Sequence, residues 1–151
     1  MPEVNRSVLV EYSPEQMFAL VDRVEDYPGF LPWCGGITLL HRDANVTRAA
    51  ILINYHGIRQ SFTTENAKQA PGEMRIRLIE GPFRRLEGGW RFTGLAGHGC
   101  KVELRLDYDY SSKILEKLIG PVFSHIADTL IDAFVRRAEQ VHGSKPVIRD
   151  R

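Results

Sequence analysis

The sequence predicts an α+β fold in which one long C-terminal helix packs against a curved antiparallel sheet of about six or seven strands. In the segment 101–110, charged and apolar residues alternate without a break. Because successive side chains of a strand point to opposite faces, this alternation predicts a strand with one solvated and one buried face. From Ser111 the apolar residues recur at three- and four-residue steps instead, at Leu115, Leu118, Val122, Ile126, Leu130, Phe134, Ala138 and Val141. That spacing predicts a helix whose apolar stripe covers the buried face of the sheet.

The N-terminal segment predicts a strand followed by two short helices. Residues 3–12 carry valines in phase and indicate the strand. Ser13 is a suitable N-cap, Pro14 suits the first helical position, and Gln16 completes a capping box. The segment 27–33 contains two prolines and a glycine among large apolar residues, which predicts a second, short helical turn rather than a long helix.

The middle of the chain predicts strands joined by hairpins. Glycine- or proline-containing pairs mark the turns at 56–57, 71–72, 81–82 and 97–99. The segments between these turns alternate as strands do, and they cover 37–42, 48–55, 58–68, a strand that begins near Met74, 86–95 and 101–110. Because hairpins join antiparallel strands, the sheet is antiparallel, and helices gathered on one of its faces define the α+β class.

Gly120 and Pro121 interrupt the pattern of the final helix, so we expect a kink or a restart there. The main piece, 121–142, spans ~33 Å, enough to cross the whole sheet. We expect one domain over residues 1–143 and a disordered tail over 144–151.

The overall composition sets limits on the class of protein. The chain has 151 residues, of which 43% are hydrophobic and 26% charged, with a net charge of +1 at pH 7. This balance is ordinary for a globular domain and does not indicate DNA as a partner. No apolar run approaches the ~20 residues of a membrane span, and the N-terminus has no signal-peptide pattern. We therefore expect a cytoplasmic protein whose two cysteines are reduced structural thiols.

No catalytic or metal-binding motif stands out. The five histidines are scattered, and none has a second ligand at metal-binding spacing. A phosphate-binding glycine loop and a nucleophile elbow are also missing. We therefore predict no catalytic residues, no metal and no required cofactor. The remaining enzymatic alternative is a cyclase-like pocket that uses a single Asp, Tyr or His.

Five arginines suggest a second kind of site. Arg84, Arg85 and Arg91 follow the turn at 81–82, and Arg136 and Arg137 are expected on the solvent side of the long helix. They are either ordinary solvated charges or a contact for a phosphate backbone or lipid headgroups.

Several motifs together resemble a known family. The most specific is Tyr-Pro-Gly-Phe-Leu-Pro-Trp-Cys at 27–34, and it is accompanied by similar segments at 13–21, 62–66, 81–83, 90–92, 100–102 and 132–134. Residues 3–143 resemble the coenzyme Q-binding proteins of the START-like, polyketide cyclase and lipid transport group, which includes the bacterial ribosome association toxin. The resemblance implies the helix-grip fold, in which a long C-terminal helix closes a curved antiparallel sheet over an apolar tunnel.

The resemblance implies two alternative functions. One is binding of ubiquinone, a polyprenyl quinone, in support of respiratory electron transport, with peripheral contact at the inner membrane. The other is a toxin that binds the large ribosomal subunit and blocks subunit association. Glu65 stands where a basic residue is expected after residues 62–64, which weakens an RNA contact at that strand.

We favour ubiquinone, or another lipid, as a bound ligand without catalysis. Its tail is expected to lie between the sheet and the long helix, with the mouth near Phe30, Leu31, Trp33 and Phe83. The predicted ligand-binding residues are Phe30, Leu31, Trp33, Ile51, Ile53, Tyr55, Phe62, Met74, Ile76, Leu78, Phe83, Trp90, Phe92, Leu104, Leu106, Phe123, Ile126, Leu130 and Phe134.

Overall fold

A computed structural model describes residues 3–143 as seven strands, two α-helices and one 3₁₀ helix. The predicted tail, 144–151, lies outside the described residues. The elements in chain order are β1 Glu3–Val10, α1 Pro14–Asp22, the 3₁₀ helix Val24–Gly29, β2 Cys34–Arg42, β3 Val46–Tyr55, β4 Ile58–Gln69, β5 Glu73–Glu80, β6 Phe83–Gly94, β7 Cys100–Tyr110 and α2 Lys113–His142.

The seven strands form one antiparallel sheet in the order β1-β7-β6-β5-β4-β3-β2. Strands β2 to β7 are joined by successive hairpins, and β1 closes the order by pairing with β7. The predicted fold class is confirmed: a curved antiparallel sheet holds a long C-terminal helix, and two short helices follow the first strand.

Helix α2 packs on the concave face of the sheet. The predicted dry face of β7 is confirmed, since Val102, Leu104 and Leu106 are each at most 6% exposed. On α2, the buried residues are Ile119, Phe123, Ile126, Ala127, Ile131, Ala133, Phe134 and Ala138. By length and composition α2 is also apolar enough to cross a membrane, but here its apolar face is part of the protein core.

The capping box of α1 is present as predicted. The backbone N–H of Gln16 donates to the Ser13 hydroxyl, and the Gln16 side chain accepts from the backbone N–H of Ser13. The 3₁₀ helix that follows contains Pro28 and buries Val24 and Tyr27. Its position matters for function, because it lies over one end of the space between the sheet and α2.

Of the kink or restart predicted at Gly120 and Pro121, the restart is wrong. Helix α2 continues through Pro121, although Pro121 has no N–H to donate to the carbonyl of Lys117. Both residues are exposed, so water can satisfy that carbonyl and no restart is needed. The buried stripe is also rotated from the predicted one: Leu118 and Val141 are 52% and 49% exposed, and Ile119 is buried instead.

Two adjacent glycines bring three strands unusually close together. A Cβ atom on Gly88 would overlap the backbone carbonyl of Arg105 on β7, and one on Gly89 would lie 2.6 Å from the carbonyl oxygen of Met74 on β5. No larger residue fits at Gly88 without separating β6 from β7. The close pairing of β6 with β7 and with β5 therefore depends on these two glycines.

Candidate functional site

The space between the sheet and α2 contains a cavity of about 80 Å³. Strands β3 to β7 supply its floor, α2 its roof, and the 3₁₀ helix one of its ends. The lining residues are Val24, Tyr27, Trp33, Ile51, Phe62, Thr64, Asn66, Ile76, Leu86, Trp90, Leu106, Phe123, Ile126, Ala127, Leu130 and Phe134. The core of this fold is therefore partly hollow, and its hollow part is mainly apolar.

Ten of the predicted ligand-binding residues line this cavity. They come from the segment before β2, from five strands and from α2, which the fold brings to one place. They are Trp33, Ile51, Phe62, Ile76, Trp90, Leu106, Phe123, Ile126, Leu130 and Phe134. Both tryptophans of the chain are among them, so the protein carries its own fluorescent reporters at the cavity wall.

The other predicted residues do not line the cavity. Most of them are in the filled part of the core, because their side chains face the interior where neighbouring elements pack without a gap; these are Leu31, Ile53, Met74, Phe83, Phe92 and Leu104. Tyr55 and Leu78 are half-buried away from it, and Phe30 covers the lining from outside. Phe83, which was expected near the mouth, is buried and does not line the cavity, and its ring packs against Phe123 and Tyr110.

Sequence reasoning missed six lining residues, namely Val24, Tyr27, Thr64, Asn66, Leu86 and Ala127. Thr64 and Asn66 were detectable, because they follow Phe62 at two-residue steps and so share its face of β4. They were missed because the sequence prediction selected large apolar residues. Ala127 lies one turn after Phe123 on α2, where a small side chain leaves room.

Asn66 is the unusual polar group of the cavity. It is only 8% exposed, and its side-chain oxygen is buried without a hydrogen-bond partner among residues 3–143. Its neighbours are satisfied: the Thr47 hydroxyl donates to Asp22 at 2.7 Å, and the Lys68 ammonium lies 3.1 Å from the same carboxylate. A buried polar atom without a partner is costly, so this one requires an explanation.

Three aromatic rings close one end of the cavity. Phe30 is half-buried and packs edge-on against Tyr27 and Phe134, with ring centroids 6.0 and 5.3 Å away. The guanidinium carbon of Arg137 lies 5.0 Å from the centroid of the Phe30 ring, in a cation–π contact. Phe30 is thus the outermost ring of this closure, since Tyr27 and Phe134 are both buried.

Tyr27 is the titratable side chain among the lining residues, and it is held in its neutral form. Its hydroxyl donates a hydrogen bond to the backbone carbonyl of Val21. Burial raises the pKa of Tyr27 well above its usual range. A phenol that keeps its proton and has already donated it is a poor acid or base, so the cavity wall is suited to binding rather than to proton transfer.

The predicted cationic surface is not continuous. Arg84 pairs with Asp109 and Arg85 with Glu87, on the convex face of the sheet, where Arg91 is also exposed. Arg136 is exposed on α2, at the opposite side of the molecule, because α2 packs on the concave face. Arg137 is not on the solvent side as predicted: it is half-buried over Phe30.

The convex face carries two shallow depressions over Gly88, of about 290 and 380 Å³. They exist because Gly88 and Gly89 have no side chains to fill them. Arg75 and Arg105 border both depressions, and Arg91 and Glu73 border the smaller one, of about 290 Å³. Charged walls open to solvent make this a place for ionic contacts, not for an apolar ligand.

The cysteines and the acidic groups provide no further chemistry. Both thiols are buried and unpaired, and burial raises the pKa of Cys100 to about 11. Such thiols are poor nucleophiles at neutral pH. In the described part of the chain, no group of three or more His, Cys, Asp and Glu side chains is placed to hold a metal ion.

The fold and the apolar cavity define a helix-grip domain, and the comparison with known proteins gives its family. Residues 10–135 match the model of the family described as polyketide cyclase / dehydrase and lipid transport. This chain belongs to that family.

Individual relatives carry different names. The chain is 43% identical to the ribosome association toxin RatA of Vibrio cholerae, over 95% of this chain and 99% of that protein. It is 26% identical to the mitochondrial coenzyme Q-binding protein COQ10 homolog B of Xenopus laevis, over 96% of this chain and 61% of that protein. Among solved structures, the aromatase/cyclase Zhui from Streptomyces sp. R1128 matches with a TM-score of 0.76 and 16% identity, covering 92% of this chain and 94% of that one. That last likeness is one of fold.

Proposed function

We propose that this protein binds a neutral polyprenyl lipid of the ubiquinone class, without catalysis, between the sheet and α2. The observation that carries this proposal is the mainly apolar cavity, whose lining includes the two polar side chains Thr64 and Asn66. Ligand sites for small molecules have this composition, with few polar groups that orient the ligand. The name of the COQ10 relative supports the same class of ligand.

The size of the cavity requires that binding be accompanied by opening. Pockets that hold drug-sized ligands enclose roughly 300–1,000 Å³, whereas this one encloses about 80 Å³. A quinone ring with an isoprenoid tail therefore enters only if side chains at the wall move. Phe30 is the side chain placed to do so, and each additional methylene of the tail that is buried contributes about 0.8 kcal/mol.

Fluorescence of the two tryptophans tests the proposal directly. Ubiquinone with a single isoprene unit is titrated into the purified protein, and its quinone ring is expected to quench Trp33 and Trp90 saturably. Organic extraction and mass spectrometry of protein purified from its own type of cell identify the natural ligand. Linear, non-saturable quenching together with an empty extract would show that the protein is not a quinone carrier.

Replacing Phe30 with alanine is expected to accelerate quinone entry several-fold with little change in affinity. The ring covers Tyr27 and Phe134 but does not line the cavity, so its loss removes a barrier rather than a contact. Stopped-flow tryptophan quenching measures the rate. Tyr55→Ala is the matched control, since Tyr55 is also half-buried and stacks on His125 of α2 away from the cavity. An accelerated control and an unchanged Phe30 variant would place the entrance elsewhere.

Ribosome association is the second candidate function, and the name of the relative that is 43% identical over nearly its whole length favours it. We propose that the convex face makes the contact, because Arg75, Arg91 and Arg105 border a depression there that can admit a phosphate backbone. The wall is not purely cationic, since Glu73 and Glu103 border the same depression.

The double variant Arg75→Glu, Arg91→Glu is expected to lose at least about tenfold in ribosome affinity, because two phosphate contacts become repulsive. Co-sedimentation with separated large and small ribosomal subunits at fixed salt measures the loss. Arg136→Glu, on the α2 side, is the control and keeps wild-type binding. A wild-type protein that sediments with neither subunit refutes ribosome association. If only the Arg136→Glu control loses ribosome binding, the contact lies on α2 instead.

A further inference from the structure

The side-chain oxygen of Asn66 is buried in the cavity wall without a hydrogen-bond partner in the described chain. We propose that Asn66, with Thr64, forms a recognition site for a neutral oxygen group, a carbonyl or a hydroxyl, on an otherwise apolar ligand. This inference rests on the proposed binding function and specifies which end of the ligand lies where.

The side chains on the concave face of β4 become more polar along the strand. Phe62, Thr64, Asn66 and Lys68 follow each other at two-residue steps and so point to the same side. The apolar end of this row faces Phe123 of α2, with ring centroids of Phe62 and Phe123 6.2 Å apart. The polar end is near α1, where Lys68 pairs with Asp22. A ligand with one polar end fits this row in one direction only.

In this row of side chains, the oxygen of Asn66 is the polar atom that is buried without a hydrogen-bond partner. Lys68 has its carboxylate, and Thr47, opposite Asn66 in the register, donates to Asp22. The Asn66 side-chain oxygen is buried and has no partner in the described chain. A ligand hydroxyl can donate to this oxygen as it stands. A quinone carbonyl is itself an acceptor, so it pairs with the amide N–H instead, after a half-turn of the amide group that exchanges its oxygen and nitrogen. The free-energy cost of burying this oxygen is offset if a bound ligand supplies the missing hydrogen bond.

The absence of charged side chains from the cavity lining also limits the class of ligand. No lysine, arginine or histidine is among the residues that line the cavity, and neither is a carboxylate. A buried ion without a counterion is strongly unfavourable, so a fatty acid or a phospholipid headgroup is a poor occupant of this end. A prenyl alcohol can donate to the Asn66 oxygen, and a quinone carbonyl can accept from the Asn66 amide N–H once the amide has turned, in both cases without a charge.

The test uses Asn66→Leu, which keeps the branched shape and the number of non-hydrogen atoms of the side chain and removes the amide. In the empty protein the variant is expected to melt about 2–4 °C higher, because an unpartnered buried polar group is gone. Its affinity for ubiquinone with one isoprene unit is expected to fall about tenfold. Binding of prenylbenzene, the matched ligand without oxygen, is expected to be retained. Asn54→Leu, at an exposed position on β3, is the control and changes neither ligand's affinity.

The outcomes separate this inference from the proposed function. Equal quinone affinity in the wild type and in Asn66→Leu refutes the role of Asn66 and leaves the binding function standing. If the wild type binds geraniol but not the quinone, and Asn66→Leu no longer binds geraniol, the recognition site is supported and the quinone is refuted as the ligand. Geranic acid, the anionic analogue of geraniol, is expected to bind at least tenfold more weakly; equal binding refutes the neutral-group assignment. A wild type that binds none of these ligands refutes both.

Discussion

Replacing Ala127 with leucine is expected to abolish ligand binding while the protein remains folded. Ala127 is 1% exposed and lines the cavity from α2. Leucine adds three carbon atoms, which occupy most of the roughly 80 Å³ that is empty. The quinone ring then has no space to enter, and we expect affinity to fall at least about a hundredfold, or ~2.7 kcal/mol.

The stability of Ala127→Leu is expected to change little, in contrast to its ligand affinity. Filling an existing cavity recovers packing contacts, whereas overpacking costs ~1–3 kcal/mol, so the two effects largely offset each other. We expect the melting temperature of Ala127→Leu to stay within about 4 °C of the wild type. Ser124→Leu, one turn earlier and exposed, is the control that adds a leucine to α2 without reaching the cavity. Quenching titrations that give wild-type affinity for Ala127→Leu would show that the ligand does not occupy this cavity.

Replacing Gly88 with alanine is expected to cause the largest loss of stability among the single changes considered. A Cβ atom there overlaps the backbone carbonyl of Arg105, and a backbone group cannot turn away as a side chain can. The β6–β7 pairing has to separate locally, which costs about 3 kcal/mol or more. For a protein of this size that corresponds to a melting temperature lower by about 6–12 °C.

Thermal unfolding followed by circular dichroism measures this effect against Gly36→Ala. Gly36 is also a strand glycine, in β2, but nothing lies within 4 Å of a Cβ built there. Alanine is therefore expected to be neutral or slightly stabilising at that position. Equal melting temperatures for Gly88→Ala and the wild type would mean that β6 and β7 are not as close as described.

The two candidate functions use different faces of the same fold. Ligand binding uses the concave face and α2, whereas the proposed ribosome contact uses the convex face around Arg91. The variants separate them: Ala127→Leu is expected to leave ribosome association unchanged, and Arg75→Glu with Arg91→Glu is expected to leave quinone quenching unchanged. Neither function therefore has to be inferred from the loss of the other.

The architecture was predictable because its signals are local. The alternation of 101–110 settles which side chains of β7 are buried, and the Ser13 capping box marks the start of α1. Hairpin turns placed the strands in antiparallel order. The spacing of apolar residues on α2 was less reliable, since Leu118 is exposed where the stripe predicted burial. A helix has several overlapping apolar stripes, and the sheet selects one of them.

The sequence by itself determined the fold class, the family resemblance and the apolar character of the interior. Only the tertiary structure decided that the interior is hollow beside Ala127 but filled at Met74, and that Asn66 lacks a partner. The physical reason is that periodicity states which face a side chain is on, and not what it meets there. Cavity volume and hydrogen-bond satisfaction are set by side chains from distant elements, and they exist only once those elements have packed.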